Sequence, residues 1–285
     1  MAQTREAAIV GIHEYPLRVA PGVSALQIKA ASASKALEDA GLSWQDVDAV
    51  YDTGSHQNIG GLGISEYLGL NPRLIDNTSV GGTSYEFQAH HAATMIASGK
   101  ASVALLTYGS TSHSDRRAIG TAGATGQGSP TPFNNMEDPW GMTLISGYGM
   151  VKARHMHQYG TTNEQFAEIS VATRYHAMRN PEAVKAMTDL EFVGVNEITT
   201  QDVLDSRMIA WPLHLLECCM VSDGGGAVVI ASKEVARNCK KPPVWIIGGA
   251  EATKYRENGG DITVSAGGQS GPRAFQDAGV SPSEM

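Results

Sequence analysis

Cysteine is scarce in this chain: three in 285 residues, two of them adjacent at Cys218 and Cys219, with no pattern that reads as a disulfide framework. That fits a reducing compartment. Basic charge is short as well, with 21 Lys and Arg against 29 Asp and Glu and a net charge of −8. The balance argues against nucleic acid or an anionic membrane as the main partner. No apolar run is long enough to span a bilayer, and residues 1–8 (Met-Ala-Gln-Thr-Arg-Glu-Ala-Ala) are too polar for a signal peptide. The expectation is a soluble, cytoplasmic protein. At 42% hydrophobic, the chain can bury a large core in one or two domains.

What the sequence does have is a repeat. Residues 36–47, Ala-Leu-Glu-Asp-Ala-Gly-Leu-Ser-Trp-Gln-Asp-Val, return at 274–285 as Ala-Phe-Gln-Asp-Ala-Gly-Val-Ser-Pro-Ser-Glu-Met. Five of the twelve positions are identical: Ala36/Ala274, Asp39/Asp277, Ala40/Ala278, Gly41/Gly279 and Ser43/Ser281. Each copy reads as a helix end that stops at a glycine, which takes a left-handed C′ conformation without a Cβ penalty. A serine follows at an N-cap-like place. The strand-like run Val47–Tyr51 comes after the first copy, and the chain stops after the second. The expectation is a second half that begins here and is incomplete in this chain.

Strand-like and helix-like stretches alternate along the rest. Ala7–Ile12 is a short apolar strand, residues 24–40 carry Leu26, Ala30, Ala33 and Leu37 at helical spacing, and 83–98 is a weakly charged helix expected to be largely buried. Ala101–Leu106, Gly226–Ala231 and Pro243–Gly248 read as further strands. Such alternation implies a mainly parallel or mixed sheet with helices on both faces. Residues 109–141 are rich in Gly, Ser, Thr, Pro and Asn, and a loop that long is usually functional or mobile. Helices are expected at 142–159 and 163–178, the second capped by Thr162 with Gln165, and a short strand with a capped turn at 198–206. The domain reading is a core at 1–109, an insertion at 110–215 placed to cover a ligand, and a return to the core at 216–285.

Three segments carry chemical information. Asn77-Thr78-Ser79-Val80-Gly81-Gly82-Thr83-Ser84 leads into the 83–98 helix, where glycines let a group approach free backbone N–H donors. Asp223-Gly224-Gly225-Gly226-Ala227 turns into a core strand, and Glu137-Asp138-Pro139-Trp140-Gly141-Met142 precedes the insertion helices. With the repeated Ala-x-x-Asp-Ala-Gly helix ends, these segments resemble the thiolase superfamily, in its lipid-transfer-protein-like branch. The resemblance runs through nearly the whole chain. It implies an α/β fold of layered α-β-α-β-α type with internal duplication, acyl-CoA ligands and an oligomeric protein.

One departure from that family decides the expected chemistry. Thiolases carry a nucleophilic cysteine at the start of the buried helix, and the matching place here is Gly82, flanked by Gly81, Thr83 and Ser84. Glycine has nothing to acylate, and no base for Ser84 is evident nearby. Cys218 and Cys219, in an apolar stretch expected to be helical, read as small core hydrophobes. The resemblance therefore points to the steroid side-chain aldolases of the superfamily. These cleave a β-hydroxyacyl-CoA by a retro-aldol reaction to a ketone and a shorter acyl-CoA, with CoA as part of the substrate and no other cofactor. In that group tyrosines replace the late catalytic residues of thiolases, so the principal catalytic groups are expected beyond Met285. A homodimer and a small OB-fold partner of the DUF35 type are implied in the same way.

The candidate substrate-binding residues are few. Gly81, Gly82, Thr83 and Ser84 would form a floor opened by the absent thiol. Tyr148 either lines an acyl tunnel or packs as an ordinary aromatic, and Tyr255, after a core strand, poses the same choice. His113, with Asp115, Arg116 and Arg117, either meets CoA phosphates or is a solvated loop. His90 and His91 point about 100° apart on a helix and are not expected to share a ligand. His155 and His157 also face apart, so no metal site is expected. Two other functions stay open: an acyltransferase or thiolase that acylates another residue, and a non-catalytic acyl-CoA-binding subunit.

Overall fold

The structure, a computed structural model, describes residues 6–54, 60–116, 143–191, 194–254 and 260–285. It opens with β1 (Ala7–Glu14), α1 (Ala25–Ala40), β2 (Ala49–Asp52), α2 (Gly60–Leu68), β3 (Leu74–Asp76), α3 (Ser84–Ala97) and β4 (Val103–Thr111). Four helices follow: α4 (Leu144–Tyr159), α5 (Asn163–Ala177), α6 (Pro181–Leu190) and α7 (Thr200–Asp205). A small hairpin, β5 (Met208–Ala210) with β6 (Leu213–His214), leads to β7 (Asp223–Ser232), α8 (Lys233–Ala236), β8 (Val244–Trp245) and α9 (Gly267–Ala278).

The main sheet has six strands in the order β3-β2-β4-β7-β1-β8. β2 runs parallel to β3 and β4, whereas β7 is antiparallel to both β4 and β1, so the sheet is mixed. Its central strands carry apolar runs, such as Val103–Leu106 of β4 and Ala227–Ala231 of β7, because both faces are covered there. Alternate residues face opposite ways. Ala8, Val10, Val50, Val103, Leu105 and Val229 join α1 in one core cluster, and Ala7, Ala49, Tyr51, Ala104, Leu106 and Ile230 join α3 in the other. Each fully buried Val, Leu or Ile side chain contributes roughly 1.5–3 kcal/mol by leaving water.

α1 begins with a capping box, in which the Gln27 N–H donates to Ser24 Oγ at 3.2 Å and the Ser24 N–H to Gln27 Oε1 at 2.8 Å. It ends at Gly41, left-handed at φ 79°, with the Leu42 N–H donating to the Leu37 carbonyl at 2.9 Å. Its buried face includes Ser32, Ala33, Ala36 and Ala40, small residues that let the helix lie close on the sheet. A Cβ on Gly11 would collide with the Ala36 carbonyl oxygen.

The second copy of the repeat is built the same way. α9 ends at Gly279 with φ 71°, and a short 3₁₀ turn follows each glycine, at Trp44–Asp46 and at Pro282–Glu284. The run through β8 passes against α9 as β1 passes against α1: a Cβ on Gly248 would stand 2.8 Å from Ala278 Cβ. The Gly249 N–H donates to Asp277 at 3.1 Å.

Several local expectations change. The strand expected over Pro243–Gly248 is regular only at Val244–Trp245, and residues 198 and 199 carry no strand before α7. Cys218 and Cys219 follow a 3₁₀ turn at Leu215–Glu217 in irregular backbone, Cys218 half-buried and Cys219 exposed, so the helical reading of that stretch was wrong. Burial raises the Cys218 thiol pKa, which leaves it a weaker nucleophile. α3 is also less buried than its low charge implied. Only Ser84, Gln88, Ala92, Ala93 and Ile96 are covered, because the sheet packs on one side alone.

Among the described residues, no helix is long and apolar enough to cross a membrane.

Candidate functional site

The parallel strands β3, β2 and β4 point their C-terminal ends at one edge of the sheet, where α3 begins. Ligands in α/β folds favour such an edge, because the loops there diverge and a helix N-terminus offers unpaired N–H groups. Asp76 closes β3 and shapes the loop that follows, its Oδ1 accepting from the Thr78 N–H and the Thr78 hydroxyl, both at 2.7 Å. Burial alone would raise the Asp76 pKa; the Thr78 bonds and His91 more than offset it and hold the carboxyl below its usual range. Asn77 reaches back to accept from the Gly61 N–H at 2.6 Å, and Gln88 on α3 donates to the Thr78 carbonyl at 3.1 Å.

Within this frame the four expected residues divide. Gly81 sits at φ 84°, where a side chain would be strained, and makes the turn. Gly82 is exposed, and a Cβ built there meets nothing within 4 Å. Thr83 is the N-cap yet makes no side-chain cap hydrogen bond, so the first N–H groups of α3 have no hydroxyl folded over them. Ser84 is fully buried, and its hydroxyl donates to the Gly81 carbonyl at 2.5 Å while accepting from the Val80 N–H at 2.8 Å. Ser84 is therefore a staple of the turn and not part of an open floor. Gly81–Thr83 face open space; the two clefts described, of about 380 and 520 Å³, lie elsewhere, around the C-terminal end of α1 and Lys240.

Residues that sequence reasoning passed over stand close by. Thr53 Oγ1 lies 3.0 Å from the Tyr85 hydroxyl, and the Tyr85 ring meets Tyr108 edge-on at 5.4 Å. Burial pushes the Tyr85 phenol well above its ordinary pKa, so it stays protonated. Tyr108, within β4, has 45% of its surface exposed. Beneath them, on the α1 side of the sheet, Lys29 and Asp52 form a fully buried ion pair at 2.8 Å, with Thr107 donating to Asp52 at 2.6 Å. The only sequence signal for this pair is an apolar helix face and an apolar strand that each carry one charge.

The other expected residues do not converge on the α3 start. His113 is half-buried, its Nδ1 3.2 Å from the Val221 carbonyl. Beside it, Asp223 accepts from the Ser114 N–H at 3.0 Å, the Ser114 hydroxyl at 2.5 Å and the Ala20 N–H at 2.8 Å. Asp223 thus explains the Asp-Gly-Gly-Gly-Ala segment as a tie between loops. Tyr148 stands 62% exposed on α4, with no described wall to make a tunnel around it. Tyr255, Arg117 and the Glu137–Met142 segment lie outside the described residues. His90 and His91 overturn their expectation: both reach Glu251 Oε1, at 3.1 and 2.8 Å. Helical divergence separates Cβ directions, and a carboxylate arriving from another segment can still sit between two rings. No group of three or more His, Cys, Asp or Glu among the described residues is arranged to hold a metal ion.

Comparison with known proteins gives a consistent picture. No family model matches the chain. A steroid side-chain-cleaving aldolase of Thermomonospora curvata is 32% identical over 98% of this chain and 72% of its own length. An acetyl-CoA acetyltransferase of Methanothermobacter thermautotrophicus is 30% identical over 99% of this chain and 72% of its own. Among solved structures, the Ltp2-ChsH2(DUF35) aldolase superposes with a TM-score of 0.84 at 29% identity, covering 99% of this chain and 72% of that one.

Proposed function

This chain belongs to the thiolase superfamily, in its lipid-transfer-protein-like branch, and we propose that it is the thiolase-fold chain of a carbon–carbon lyase. The reaction is retro-aldol cleavage of a β-hydroxyacyl-CoA, with a sterol side-chain intermediate as the substrate. One observation carries the reading: the start of α3 presents Gly82 to open space, with a buried, committed serine beside it, where an acylating enzyme needs a nucleophile.

In the cleavage a base takes the proton of the β-hydroxyl, and that O–H pair becomes the ketone C=O. The Cα–Cβ bond breaks, and its electrons pass to the thioester as an enolate, which is then protonated at Cα. The developing oxyanion needs hydrogen-bond donors, which uncapped N–H groups at a helix start can supply. The absence of a side chain at Gly82 leaves room for bulk at the β-carbon. CoA enters as part of the substrate, with no further cofactor.

Similarity to an aldolase that contains a DUF35 chain supports an OB-fold partner for this one. Among the described residues, strand β3 has a neighbour on one side only and exposes Ile75, which supports pairing of that edge in a homodimer. The acidic, cysteine-poor sequence supports a cytoplasmic setting.

The test is product analysis of the full-length protein, any residues that follow Met285 included, with its OB-fold partner and a β-hydroxyacyl-CoA. Ketone and shortened acyl-CoA are expected in equal amounts. Acyl exchange between CoA species instead supports the acetyltransferase-like reading, which the second relative motivates. Binding without release of either product supports a non-catalytic subunit.

A further inference from the structure

His91 bridges two carboxylates that come from different parts of the chain. Its Nδ1 lies 2.8 Å from Asp76 Oδ2, at the head of the loop leading into α3. Its Nε2 lies 2.8 Å from Glu251 Oε1, in the run that follows β8. A neutral imidazole has one N–H and one lone pair, so it can donate to only one of the two. Against the other, lone pair would face lone pair. Both contacts are hydrogen bonds only when the ring carries its second proton.

The surroundings hold this bridge in place. Asp76 Oδ1 is occupied by Thr78, which leaves Oδ2 for His91. The Glu251 run lies flat on α3, since a Cβ on Gly249 would stand 2.5 Å from the His90 ring. The same run is tied on its far side, where the Gly249 N–H donates to Asp277 of α9. The titratable groups around the bridge are Asp76 of β3, Tyr51 of β2, His90 of α3, Glu251, and Asp277 of α9.

We propose that His91 is a positioning residue: as an imidazolium it clamps the loop carrying Gly81–Ser84 to the 248–254 run that leads to Tyr255. The clamp acts through the loop and touches no reacting atom. Its purpose rests on reading the α3 start as the reacting site, since the bridge fixes where Gly82 and the first N–H groups of α3 stand. Loss of either contact frees one carboxylate and loosens both segments together.

Amide hydrogen exchange on the full chain without substrate tests the clamp apart from the lyase reading. In His91→Gln, residues 77–83 and 248–254 are expected to exchange about tenfold faster together, with α1 unchanged. Glu251→Gln is the conservative variant, because its amide can accept from His91 through its oxygen or donate to it through its nitrogen, and it should keep both segments slow. Turnover of a β-hydroxyacyl-CoA should fall in kcat and hold its KM in His91→Gln. Uncoupled exchange of the two segments, or loss of protection spread evenly over the fold, would overturn the proposal. Failure of the full-length protein, any residues that follow Met285 included, to cleave a thioester, with exchange behaving as described, would instead overturn the lyase reading and leave the clamp standing.

Discussion

Asp39 and Asp277 perform one task in two places. Asp39 Oδ2 accepts from the Ile12 N–H at 3.2 Å, and Asp277 Oδ2 accepts from the Gly249 N–H at 3.1 Å. In each copy the last turn of a helix fixes the strand-like run beside it, one residue after a glycine that the helix alanines crowd. The repeated Asp-Ala-Gly is thus a docking device as well as a helix end.

Removing one of these carboxylates should cost about 1 kcal/mol, the net worth of a part-exposed hydrogen bond. Urea denaturation of Asp277→Ala is expected to show that loss, with exchange at Gly249 faster. Asp39→Ala should behave alike at Ile12. A variant as stable as the parent would mean that the carboxylate adds nothing.

Gly82 tolerates a side chain and Gly81 does not. Gly82 has open space and an ordinary backbone, so Gly82→Ser should fold with a thermal midpoint within about 2 °C of the parent, consistent with a surface change. Its activity toward a bulky β-hydroxyacyl-CoA should drop at least tenfold. Gly81→Ala must adopt a left-handed backbone at φ 84° and should lose about 1–2 kcal/mol. Unchanged turnover in Gly82→Ser would count against the site.

Lys29 and Asp52 are buried together, so each depends on the other. Lys29→Met leaves a buried carboxylate without its counter-charge and should destabilise by about 3–5 kcal/mol. Pairing it with Asp52→Leu should recover most of the loss. A double-mutant cycle from denaturation curves measures the coupling, and additive losses would show that the pair is not a unit.

Acid stability should depend on Asp223. Burial pushes its pKa up, but the bonds from Ser114 and Ala20 outweigh it and hold the carboxyl below the usual range. A depressed folded-state pKa adds stability that is present above the unfolded value of about 3.9 and is lost as pH falls through the folded one. Asp223→Asn should therefore be less stable at neutral pH and show a flatter decline below about pH 4. Parallel acid limbs for the two proteins would contradict this role.

Much of the fold was legible because local signals agreed with one another. The capping box at Thr162 and Gln165, the glycine stop at Gly41 and the apolar run of β4 each fix an element from a few neighbouring residues. The turn at Gly81–Gly82 was legible for the same reason. The role of Ser84 was not, because a hydroxyl facing its own loop and one facing a ligand look alike in sequence. The Tyr85–Thr53 contact, the Lys29–Asp52 pair and the Asp76–His91–Glu251 bridge join residues far apart in the chain. Their partners depend on strand order and register, and helical angles alone misplaced His90 and His91.

Intact-protein mass spectrometry after exposure to isotope-labelled β-hydroxyacyl-CoA tests the central claim most directly. The account predicts release of the ketone while the protein keeps its mass throughout the reaction. A mass gain equal to the acyl group, removable by hydroxylamine, would contradict it, because a thioester or ester would then have formed on a side chain of this enzyme.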